Sequence, residues 1–140
     1  MIVVIDTNVI VSGVLKPYSK AAVILRLIAE GAIRSVFDLR ILAEYRDVLN
    51  RPKFNMNKEN IQVFLTQFEE VGLHILASPL KFRLPDPDDE PFLEVALTAG
   101  AVAVVTGNKR HFPASEYCGV KILSPAEFLK DWTEEGTASA

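Results

Sequence analysis

Two short apolar runs constrain this chain more than anything else in it. Ile2 to Ile5 and Ala101 to Val105 contain no polar residue, and each is followed at once by a polar cluster, Asp6-Thr7-Asn8 in the first case and Thr106-Gly107-Asn108 in the second. A run this short, β-branched and without alternation, reads as a strand covered on both faces, the situation of a strand inside a parallel sheet. Three more strand candidates, Ile33 to Phe37, Leu73 to Leu76 and Val120 to Leu123, alternate with helical stretches. The pattern predicts one α/β domain, three layers α/β/α, with a mostly parallel central sheet. Ligands of such sheets bind beyond the carboxyl ends of the strands, where both polar clusters fall.

The helices punctuate the chain clearly. Residues 9–17 begin a short helix or turn that Pro17 stops. Ser19 reads as the N-cap of a helix to about Glu30, with Gly31 as its stop. Asp38 can cap a helix from Leu39 to about Asn50 that ends before Arg51-Pro52. Lys58 to Val71 carries Ile61, Phe64, Leu65 and Phe68 on one face, with Gly72 beyond it. Phe92 to Gly100 reads as another helix. Ser124-Pro125-Ala126-Glu127 combines a capping box with proline at the first helical position, so a helix runs from Pro125 to about Trp132. The folded domain is expected over residues 1–132, with a flexible tail over 133–140, which lacks large apolar side chains.

Bulk properties remove several classes. The single cysteine, Cys118, allows no intrachain disulfide and points to no oxidising compartment. No apolar run approaches the roughly 20 residues of a membrane span, and the N-terminus shows no basic leader, so a cytoplasmic address is expected. The net charge of −3 disfavours nucleic-acid binding by the overall field, though not by a local basic rim. A P-loop and a Gly-x-Ser-x-Gly elbow are both absent from the sequence.

What remains is acidic. Between Ser78 and Pro91 stand Asp86, Asp88, Asp89 and Glu90, opening the helix that leads into the run Ala101 to Val105. Helix capping needs one or two acids, and four within five residues exceed that. Crowded carboxylates repel, and some must protonate unless a cation neutralises them. Oxygen ligands suit Mg²⁺ or Mn²⁺ rather than zinc, for which no Cys/His cluster exists. Asp6 has two readings, a cap of the following helix or a site carboxylate at a strand end. Glu44 also has two, because it borders the apolar stripe of Ile41, Leu42, Tyr45, Val48 and Leu49: a solvated glutamate or an inward-reaching acid. His74 reads as a packed or edge residue.

Four segments in order, VVIDTNVIVSG, LAEYRDVLNRPKF, DPDDEPFLEVALTAGA and VVTGNKRHFP, resemble the PIN-domain ribonucleases, especially the toxin half of bacterial and archaeal VapBC-like toxin–antitoxin pairs. The resemblance covers nearly the whole chain. It implies a PIN-like fold and Mg²⁺- or Mn²⁺-dependent hydrolysis of RNA phosphodiesters by water. It also implies a homodimer and a protein antitoxin. The family's acids fall on Asp6, Glu44 and Asp89, with Asp6 and Asp89 as principal metal ligands and Glu44 as a ligand or an orienter of the water. Asp86 and Asp88 are possible further acids. The fourth position, aspartate in many members, is Asn108 here, so the site carries one negative charge less. Thr7, Asn8 and Thr106 would support the acids by hydrogen bonds. Arg46, Lys109, Arg110 and His111 could meet RNA phosphates at the rim. Val11, Val14, Leu15, Phe64 and Phe68 are candidates for contact with a partner, or ordinary core.

Three other functions fit parts of the pattern. A non-catalytic PIN-fold module binding RNA or protein is motivated by Asn108. A response-regulator-like phosphoacceptor domain would use Thr106 and Lys109 but needs an Asp ending a middle strand, for which Asp38 is the nearest. A DNA flap-type nuclease would use the same metal site.

Overall fold

The residues that do not alternate are those with no exposed side. In the computed structural model, which describes the backbone of residues 1–139 and the side chains of residues 1–135, Val3, Val4 and Ile5 of strand β1 (Ile2–Ile5) are fully buried. So are Ala103, Val104 and Val105 of strand β4 (Ala103–Val105). The two strands pair in parallel, Val3 against Ala103 and Ile5 against Val105. On the other side of β1 lies β2 (Arg34–Phe37), then β3 (Leu73–His74), both parallel. Beyond β4 come β6 (Val120–Leu123), parallel, and β5 (Glu116–Tyr117), antiparallel at the edge. The order is therefore β3-β2-β1-β4-β6-β5. The chain moves outward from β1 to β2 and β3, then crosses back to β4. Strand order reverses between β1 and β4, and a crevice opens at their carboxyl ends.

The outward crossovers carry α1 (Thr7–Leu15), α2 (Lys20–Ala29), α3 (Leu39–Leu49) and α4 (Lys58–Val71). The return crossover carries α5 (Glu90–Ala99), which packs on β1, β2 and β4. Right-handed connections in opposite directions cover opposite faces of a sheet, which gives the three-layer α/β/α fold. The caps expected at Ser19 and Asp38 form: Ser19 Oγ accepts Ala22 N at 3.1 Å and Asp38 Oδ1 accepts Ile41 N at 3.1 Å. Asn57, not singled out in the sequence, caps α4, its Oδ1 accepting Glu59 N and Asn60 N. Gly100 ends α5 in the left-handed region, at φ +65°, where a side chain would be strained.

The short helix that the sequence allowed after Asn8 forms, beginning at Thr7 with Asp6 as its cap. The structure departs from expectation elsewhere. β3 is two residues long rather than four, because the backbone turns away after Ile75 N bonds Phe37 O at 3.0 Å, leaving Leu76 exposed. α5 starts at Glu90, not Phe92, since Pro91 sits in the first turn where no N–H is needed. The loss of large apolar residues after Trp132 predicts a tail, yet the backbone of α6 (Pro125–Ser139) continues through it. Ala140 and the side chains from residue 136 lie outside the described residues. Of the partner-contact candidates, Phe68 is buried, Val11, Val14 and Phe64 are half-buried, and Leu15 is exposed.

One buried polar contact ties α3 to β1. The Tyr45 hydroxyl, on a ring that is 1 % exposed, donates to the Ile5 carbonyl. Tyr45→Phe keeps the packing but removes this donor from a buried carbonyl, so a loss of about 1–3 kcal/mol is expected. Urea unfolding of both proteins at equal m would measure it.

Candidate active site

Asp6 leaves the end of β1 as that strand's last bond to β4 forms, Asp6 N to Val105 O at 2.9 Å. Its carboxylate is 5 % exposed and takes the cap role that the sequence allowed. Oδ1 accepts Thr7 N at 2.8 Å. Oδ2, at the strand end, accepts the Thr106 hydroxyl at 2.8 Å and Asn8 Nδ2 at 3.4 Å. Thr106, fully buried at the end of β4, also accepts Asn108 N at 3.0 Å. Asn8 Oδ1 takes Gly107 N at 2.9 Å, and a Cβ on residue 107 would stand only 3.3 Å from that oxygen. The two polar clusters that follow β1 and β4 thus lock together across the crevice. Burial still outweighs these hydrogen bonds and pushes the Asp6 carboxyl above its ordinary value.

Two more acids face Asp6. Glu44, on α3, accepts the Thr7 hydroxyl, so the inward-reaching reading holds. Burial, then the charges of Asp6 and Asp88, raise its carboxyl. Asp89 ends the 3₁₀ turn Pro87–Asp89 and is 8 % exposed. Its carboxyl is pushed up to about 6, by burial first and the charge of Asp6 second, with Asp86 adding and His111 opposing. His111 Nδ1 lies 3.2 Å from Asp89 Oδ2, an ion-pair distance. It is off the line that a hydrogen bond requires, and Asp89 Oδ2 has no hydrogen-bond partner among the described residues. Asp86 caps its own turn, Oδ1 accepting Asp88 N at 2.9 Å, and Asp88 is exposed.

The fourth position closes the ring. Asn108 Nδ2 stands 2.8 Å from His111 Nε2, and the other ring nitrogen is the one that faces Asp89. Arg110 Nε is 3.4 Å from Asn108 Oδ1. Lys109 is otherwise engaged, with Nζ 2.8 and 3.1 Å from the two oxygens of Glu127. Lys109 and the Ser124 backbone hold the Glu127 carboxyl down at about 2. Arg46 is exposed and sits two residues from Glu44, about 200° around α3, so it is not brought into the cluster. Beside the acids lies a cleft of about 400 Å³ lined by Asn8, Ser12, Gly107, Asn108 and Arg110 among others.

This arrangement fits a hard cation. A buried carboxylate oxygen without a donor, next to a second buried carboxylate with a raised pKa, is an electrostatic deficit that a divalent ion removes. The donors are oxygens. No group of three or more Asp, Glu, His or Cys side chains is placed to hold a metal ion among the described residues, but an ion that keeps most of its waters needs only one or two carboxylates. The sequence pattern missed the Asn108–His111–Asp89 chain and the roles of Glu90 and Glu94. Only the spacing of His111, three after Asn108, could have hinted at the first.

Comparison with known proteins is consistent with this geometry. The profile of the PIN domain matches residues 2–110. An uncharacterized protein of Methanocaldococcus jannaschii is 29 % identical over 141 aligned positions, covering 93 % of this chain and 90 % of the relative. The crystal structure of VapBC2 from Rickettsia felis, bound to a DNA fragment from their promoter, superimposes with a TM-score of 0.60 at 19 % identity, over 89 % of this chain and 98 % of that one.

The raised Asp89 carboxyl predicts a pH effect on the metal-free protein. Between the ordinary value of 3.8 and about 6 the native state holds a proton that the unfolded chain has lost, so stability falls as pH rises through that window. Asp89→Asn removes the effect. The difference in Tm between the variant and wild type, measured with chelator, should grow in the variant's favour from pH 4 to pH 7; a flat difference would contradict the assignment.

Proposed function

The chain belongs to the PIN domain family, and from that premise we propose that it is a metal-dependent endoribonuclease, the toxin of a type II toxin–antitoxin pair. The observation that carries this reading is the pair Asp6 and Asp89, two buried acids at the switch point of the sheet, one with an unpartnered oxygen. Asp6 and Asp89 would hold Mg²⁺ or Mn²⁺, with Glu44 beside them as a further ligand or as the group that orients the attacking water. Bound there, such an ion acidifies water and neutralises charge on a phosphodiester. Thr106, Thr7 and Asn8 keep the acids in place by the bonds described above. Arg110, which lines the cleft, and His111, beside Asp89, would meet phosphates of a single strand entering it. Lys109 would first have to leave Glu127.

Asn108 supplies no charge, and its amide is engaged by His111. One ion is therefore the simpler occupancy, and Asn108→Asp should strengthen Mg²⁺ binding by adding an anionic oxygen. A homodimer and a protein antitoxin belong to the same proposal. Apolar side chains of such a partner would find the groove of about 340 Å³ between α2 and α4, walled by Leu25, Ile28, Phe64 and Phe68. No helix among the described residues is long and apolar enough to cross a membrane, and the expected address is the cytoplasm.

The test is cleavage of mixed single-stranded and structured RNAs, with matched DNA, by wild type and Asp6→Asn in Mg²⁺, Mn²⁺ or chelator. Metal catalysis is worth several kcal/mol, so the variant should lose at least about a hundredfold in rate. In parallel, Mg²⁺ should raise the Tm of wild type and not of Asp6→Asn. Metal binding without any cutting would instead favour the binding module.

A further inference from the structure

The segment from β3 to the acidic turn, residues 75–86, has no regular structure, yet it is firmly held. It runs back along α5, which grips it through three side chains four residues apart. Thr98 Oγ1 accepts Ser78 N at 2.9 Å, Glu94 Oε2 accepts Leu80 N at 2.8 Å, and Glu90 Oε2 accepts Leu84 N at 2.9 Å. Residues at such spacing share one helix face, so α5 offers a column of acceptors to a strap of backbone donors. Leu80 and Leu84 pack onto the core between these bonds.

Each glutamate is also anchored by its other oxygen. Glu94 Oε1 lies 2.7 Å from Arg40 Nη1, and the same guanidinium grips Asp38 Oδ2 through Nε at 2.8 Å and Nη2 at 2.7 Å. Glu90 Oε1 lies 3.1 Å from Arg83 Nη1, on the strap itself. Both residues are buried, a placement that is unfavourable for a carboxylate without a full set of partners. Their consequences reach the crevice from two sides. Asp38 caps α3, the helix of Glu44, so Arg40 and Glu94 set the distance between that helix and α5. Glu90 pins the strap at Leu84, two residues before Asp86 opens the turn that ends in Asp89.

We propose that Glu90 and Glu94 are positioning residues, which hold the strap on α5 and thereby fix the turn Asp86–Asp89 so that Asp89 faces Asp6. Though Glu90 adjoins the run of aspartates, it serves the backbone and not the ion. The effect on cleavage rests on the nuclease reading above; the effect on the strap does not.

The experiment separates the two. Amide hydrogen exchange at Leu80 and Leu84, Mg²⁺ titration by calorimetry, and kcat and KM are measured for wild type, Glu90→Ala, Glu90→Gln and Glu94→Gln. In Glu90→Ala, exchange at Leu84 should quicken, Mg²⁺ affinity should fall by about tenfold or more, as for other residues that orient ligands, and kcat should drop while KM holds. Glu90→Gln keeps a carbonyl acceptor for Leu84 N and should bind Mg²⁺ close to wild type, as should Glu94→Gln, which spares Arg40 the stranding that an alanine would cause. Faster exchange at Leu84 with Mg²⁺ binding and kcat unchanged would overturn the proposal, as would unchanged exchange. A wild type that neither binds Mg²⁺ nor cuts would sink the nuclease reading, and the exchange at Leu84 would still decide the strap.

Discussion

Everything at this sheet edge follows from burying a carboxylate at the end of β1. Asp6 receives the Thr7 amide, the Thr106 hydroxyl and the Asn8 amide, a set that in water-exposed surroundings would favour the anion. Burial prevails, and the carboxyl stays above its ordinary value. A second acid beside it then cannot ionise freely. Burial first and the charge of Asp6 second push the Asp89 carboxyl up to about 6. The pair is electrostatically incomplete, and the completion that its oxygen chemistry suits is a small divalent cation.

The acids of this chain divide by what they answer. Asp6, Glu44 and Asp89 converge on the crevice. Asp38, Glu90, Glu94 and Glu127 look the same in a list of residues, but each already satisfies backbone amides or an arginine or lysine. Asp89, by contrast, has a buried oxygen that no donor meets in hydrogen-bond geometry. The difference between Asp89 and Glu90 is one position along the turn, yet it separates the crevice from the strap.

That distinction also marks what could be read before the fold was known. β1 and β4 were legible because strands covered on both faces cannot alternate. α4 was legible because Ile61, Phe64, Leu65 and Phe68 recur on one face, and the start of α6 because the Ser124–Glu127 box announces a helix end in local chemistry. β5 was not, since two edge residues carry no period, and the start of α5 was hidden by Pro91. Asp6 and Glu44 stayed ambiguous on their own segments, because cap or site, surface or crevice, is decided by partners 37 and 100 positions away. The pairing of Lys109 with Glu127 and of His111 with Asp89 depends on how a short turn after β4 meets α6 and the acidic turn, which no local pattern encodes.

The strand order has a consequence for how the molecule comes into being. Asp6 and the hydroxyl that orients it lie a hundred positions apart along the chain. Asp89 gains its neighbour only when β4 slides in beside β1. Until then the acids are far apart on an open chain, without burial and without mutual repulsion. A chain cut before residue 106 keeps four of the six strands but loses the Thr106 hydroxyl on Asp6 and the Gly107 amide on Asn8, the two bonds that join the ends of β1 and β4.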